Sequence, residues 1–84
     1  MTGTIYEINT TRGMVAIKTA NGDFSVFEMI GNDHFEKGDQ VSWTDDTSCG
    51  HTTIRNITKG ELIEVFFENH WVHISQLRQQ LRYP

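Results

Sequence analysis

The stretch Thr4–Ile30, TIYEINTTRGMVAIKTANGDFSVFEMI, decides the fold. It opens with Thr4-Ile5-Tyr6-Glu7-Ile8, a burst of β-branched and aromatic residues. The burst stops at Asn9-Thr10-Thr11-Arg12-Gly13, where the glycine can take the positive φ of a hairpin loop. A second strand follows as Met14-Val15-Ala16-Ile17-Lys18-Thr19. Asn21-Gly22 then gives the strongest short-range hairpin signal, since both residues tolerate the left-handed backbone of a type I′ turn. Phe24 to Ile30 completes a three-stranded meander.

Outward from this meander, Gly31 to Asp39 is too polar for a strand and too short for a stable helix, so it reads as a connection crossing a barrel. Gln40-Val41-Ser42-Trp43-Thr44 alternates as a half-buried fourth strand. Asp45 to Gly50 is a loop of turn formers, and Thr52 to Thr58 is a fifth strand. There the spacing of Ile54 and Ile57 implies a bulge or a strand end. Ile63, Val65 and Phe67 alternate as a sixth strand, although Leu62 to Phe66 also fits a helical turn. Ser75 to Arg82 suits a short helix with Ser75 as N-cap and Leu77 and Leu81 on one face. So short a helix must dock on the barrel or on another chain. The expectation is an all-β fold: a small five-stranded Greek-key barrel of the oligonucleotide/oligosaccharide-binding (OB) type over residues 1–58, with a strand and helix over 59–84 packed on it.

The chain has 84 residues, one cysteine and a formal net charge of −4. That allows one small domain with no internal disulfide, stabilised by packing. Its longest apolar run is Met14-Val15-Ala16-Ile17, and Met1-Thr2-Gly3-Thr4 has no basic start. The expectation is therefore no membrane helix, no secretory leader and a cytoplasmic location. The acidic balance disfavours phosphate backbones as partners, but it is uneven. Residues 1–22 carry +1 and residues 23–46 carry −6, so an anionic ligand is steered toward the first hairpin or the tail.

Met1-Thr2-Gly3-Thr4-Ile5, Asn9, Arg12-Gly13 leading into Ile17, Gly22, Val26-Phe27 and Gly38-Asp39-Gln40-Val41-Ser42-Trp43 fall in the order and spacing of the cold-shock domain family, which residues 1–58 resemble. The resemblance implies binding of single-stranded RNA or DNA over Tyr6, Arg12, Met14, Lys18 and Phe27. The family's stacking residues are degenerate here: Glu7 stands at its first-strand tryptophan, and Met14 and Ala16 stand at the phenylalanines of its first ribonucleoprotein motif. Met29 and Ile30 replace the usual histidine and phenylalanine of the second. Each stacked base is worth about 1–3 kcal/mol, so losing three or four rings makes affinity marginal.

A competing expectation is a protein-interaction module that has lost the stacking face. It would use the acidic middle of the chain or the apolar tail, with Phe66 or Trp71 exposed for a partner protein or a second copy. His34, Cys49, His51, His70 and His73 could in principle ligate zinc, but their spacing matches no regular site. Cys49 and His51 lack a third orienting group, so neither an enzyme, a metal nor a cofactor is expected.

Overall fold

The computed structural model describes residues 1–31, 35–44 and 49–84. Among the described residues six strands, β1 (Thr2–Asn9), β2 (Met14–Thr19), β3 (Phe24–Met29), β4 (Gln40–Ser42), β5 (Gly50–Asn56) and β6 (Glu61–Val72), precede one helix, α1 (Ile74–Gln80). They close a barrel in the order β1-β2-β3-β6-β5-β4, with β4 returning to β1 through Gly3 opposite Val41.

The meander forms as its turns dictate, with Gly13 at φ 68° and Gly22 at φ 89°. The stave count is six where the sequence suggested five, and an even count is what an all-antiparallel ring requires. Every neighbouring pair in the ring is antiparallel. Directions can alternate around a closed ring only if the number of strands is even. β6 supplies the sixth stave, sitting between β3 and β5 rather than lying on a finished barrel. β5 ends at Asn56, so Ile54 points inward while Ile57 lies beyond the strand end, exposed.

The barrel interior holds Ile5, Val15, Ile17, Phe27, Val41, Trp43, Ile54, Ile63, Val65 and Phe67, with Phe35 from the crossing connection set edge-on against Phe27 at 5.1 Å. Gly3 marks the tightest crossing. A Cβ there would lie 2.4 Å from Ile17 Cγ2 and 2.7 Å from the Lys18 carbonyl oxygen. Asp39 pins the connection: its carboxylate accepts from Asn56 Nδ2 at 2.9 Å and the Glu36 N–H at 3.0 Å, and lies 3.5 Å from Lys59 Nζ. Burial alone would push this carboxyl up, but those donors and the Lys59 charge outweigh it and hold it below its usual value.

A second apolar cluster lies outside the barrel. Met14, Ala16, Phe24, Val26 and Val72 pack under Leu77 and Leu81, the helix face expected to dock. The helix starts one residue before Ser75, and the cap is His73, whose Nδ1 accepts the Ser75 N–H at 3.1 Å. At the other end Arg82 N–H reaches Gln79 O and Tyr83 N–H reaches Arg78 O, the paired bonds of a Schellman cap. The left-handed residue there, usually glycine, is Arg82 at φ 62°.

Candidate functional site

The face that the cold-shock resemblance implies for base stacking is the outer surface of β2 and β3. Here α1 covers it. Met14 is buried beneath Leu77 and Leu81, and Phe27 is wholly inside the barrel, in edge contact with Phe67 at 5.7 Å. Neither can stack on a base in this fold, which corrects the expectation for both. The physical reason is sidedness. β2 and β3 are buried on both faces, Val15, Ile17 and Phe27 inward and Met14, Ala16, Phe24 and Val26 outward under the helix.

Tyr6, Arg12 and Lys18 are exposed. A register shift between Ile5 and Glu7 turns Tyr6 outward, 44% exposed, with its ring edge-on to Phe24 at 4.9 Å. Lys18 stands opposite Thr4 and Phe24 near the same end of the sheet. Arg12 lies six residues back along the chain, past the far end of β2, where it meets the cap of α1. At about 3.3 Å per strand residue this separates it from Lys18 by roughly 20 Å. The three residues therefore do not form one platform. Glu7 pairs with Lys37 at 2.9 Å, and the hydrogen bond from that ammonium holds its carboxyl below the ordinary range.

On β6, Phe66 is half-buried against the His51 ring at 5.2 Å. Trp71 is different. It sits in a register irregularity between the pairs Val26–Asn69 and Phe24–Val72, in the left-handed region at φ 54°, with 64% of its surface exposed. Its neighbours His70 and Val72 are both buried, so the bulge is fixed on either side. Ile74, half-exposed at the start of α1, shares with Tyr6, Leu77, Arg78 and Tyr83 a hollow of about 200 Å³. Sequence patterning marks Trp71 as apolar bulk but carries no signal of its backbone conformation.

The histidines and the cysteine are dispersed. His70 Nδ1 lies 2.9 Å from Ser25 Oγ, and Cys49 Sγ donates to the Glu68 carbonyl at 3.2 Å. Among the described residues no three His, Cys, Asp or Glu side chains converge, and His34 lies outside them. Comparison of the chain with family models, with curated proteins and with solved structures finds no match.

Proposed function

We propose that this chain is a non-enzymatic, cytoplasmic protein-interaction module on an OB-type scaffold, with its stacking face roofed by α1 and an apolar rim at Trp71, Ile74 and Tyr6 as its contact. Trp71 carries the reading. A non-glycine residue in the left-handed region costs about 1–2 kcal/mol, and this one also holds a large ring in water. Strain of this kind concentrates at functional positions, and tryptophan is enriched among residues that dominate protein interfaces.

A photo-crosslinking side chain at position 71, with one at the exposed Thr53 as control, tests this in the cells that make the protein. A discrete protein adduct at 71, lost on Ile74→Asp, is expected. No adduct at 71, or equal adducts at both positions, refutes it.

A second reading, weak or auxiliary binding of single-stranded RNA or DNA, draws on the exposure of Tyr6, Arg12 and Lys18. Titration with a mixed oligonucleotide pool, followed by amide shifts, separates the two. Salt-sensitive shifts within residues 5–30 support nucleic acid, and none at high micromolar strand in low salt removes it.

A further inference from the structure

The chain has four arginines, and three of them gather at one corner of an otherwise acidic molecule. The turn after β1 and the C-terminal cap of α1 meet there around a hollow of about 330 Å³, lined by Asn9, Thr11, Arg12, Arg82, Tyr83 and Pro84. Arg12 comes to it from the hairpin and Arg82 from the cap. Arg78 lies over the Tyr83 ring at 5.4 Å. The size is at the lower end of small-molecule sites, and no carboxylate side chain is among the lining residues.

We infer that this hollow binds a phosphate group, held between the Arg12 and Arg82 guanidiniums beside Tyr83.

Four observations support the site. Four carbonyls at this end of the helix already accept hydrogen bonds: Leu77 O from the Leu81 N–H, Arg78 O from Tyr83, Gln79 O from Arg82, and Leu81 O from Asn9 Nδ2 at 2.8 Å. The walls are braced, since Tyr83 donates its hydroxyl to Ile8 O at 3.2 Å and Asn9 is itself buried. Arg82 is held by Glu68 at 3.4 Å and Glu28 at 3.9 Å, contacts that orient a guanidinium while leaving several of its five N–H donors available. Finally, Arg82 occupies the left-handed cap position where glycine fits without strain, so the side chain is present at a cost in backbone energy. Two planar guanidinium forks at one hollow suit a tetrahedral oxyanion better than a single carboxylate.

The test is an amide and arginine Nε–Hε titration of the full chain in low salt with inorganic phosphate, adenosine monophosphate and a short oligothymidylate in parallel. Saturable shifts at Thr11, Arg12 and Arg82 are expected. Arg12→Gln and Arg82→Gly should each weaken binding by about tenfold or more, while Lys18→Gln leaves it unchanged. Arg82→Gly keeps the left-handed turn, so loss of binding in it is not loss of the fold. Equal affinity for phosphate and the mononucleotide, unmatched by the oligomer, assigns a small phosphorylated ligand. Much tighter oligomer binding with shifts reaching Tyr6 and Lys18 assigns the phosphate to a nucleic-acid strand. Absence of saturable shifts up to about 10 mM with all three probes, or undiminished binding in both arginine variants, overturns the site. Crosslinking at position 71 reads a different surface and is independent of either result.

Discussion

Replacing Trp71 by glycine should give a more stable protein than replacing it by alanine, against the usual order. With 64% of its surface exposed, Trp71 removes about a third of its area from water. A tryptophan can bury about 150–250 Å², so its contacts amount to roughly 50–90 Å² and at most about 1–2 kcal/mol at 25 cal/mol per Å². Both variants lose that amount. Alanine keeps the left-handed penalty of about 1–2 kcal/mol, whereas glycine releases it and pays about 0.5–1 kcal/mol in extra unfolded-state entropy. Glycine should therefore exceed alanine by about 0.5–1 kcal/mol. Trp43 remains as the only indole, buried in the barrel, and reports urea unfolding by fluorescence. With a slope of about 1–1.5 kcal/mol per M, the midpoints should differ by roughly 0.5 M, and Tm by about 4 °C. A glycine variant at or below the alanine variant would refute the claim that the bulge holds Trp71 under strain.

Asp39→Asn should cost about 1–3 kcal/mol at neutral pH by breaking hydrogen bonds to a buried charge. Because the folded carboxyl titrates below its unfolded value, that stabilisation is present above about pH 4 and fades as pH falls through the folded pKa. Urea melts across pH 2–7 should thus show wild type and variant converging in acid. Leu77→Ala should destabilise by about 2–5 kcal/mol and increase binding of a hydrophobic dye, as the roof over Met14, Ala16 and Val26 loosens; an unchanged melt would show that the helix is dispensable. Gly3→Ala should cost about 3 kcal/mol, because its Cβ meets Ile17 and the Lys18 backbone at once, and thermal melts would register it as a drop near 15 °C.

The first meander and the docking face of α1 were legible because their signals are local: a glycine at each turn, and Leu77 and Leu81 four residues apart. The surface of Met14 and Phe27 was not, because which way a strand residue points depends on register and on what covers its other face. One clue lay in the uninterrupted run Met14-Val15-Ala16-Ile17. A strand open to water on one side alternates, whereas one covered on both sides does not. The left-handed conformations of Trp71 and Arg82 had no counterpart in residue type, since tertiary packing imposed them where glycine would be usual. The arginine corner was invisible for a different reason: Arg12 and Arg82 are 70 residues apart, and only ring closure and helix docking bring them together.

The even count of staves bears on how the molecule could be divided. Cutting the chain after Lys59 removes β6 and leaves five strands, which cannot all run antiparallel to their neighbours around a closed ring. The fragment would have to set β3 beside β5 in a parallel seam, and it would lose both long ladders that β6 makes with those two strands. Residues 1–59 should therefore not fold as a smaller version of the whole. Mixed with residues 60–84, they should recover the native amide spectrum, each piece templating the other. One cut thus opens two edges at once, since β3 and β5 each lose the neighbour that covered them.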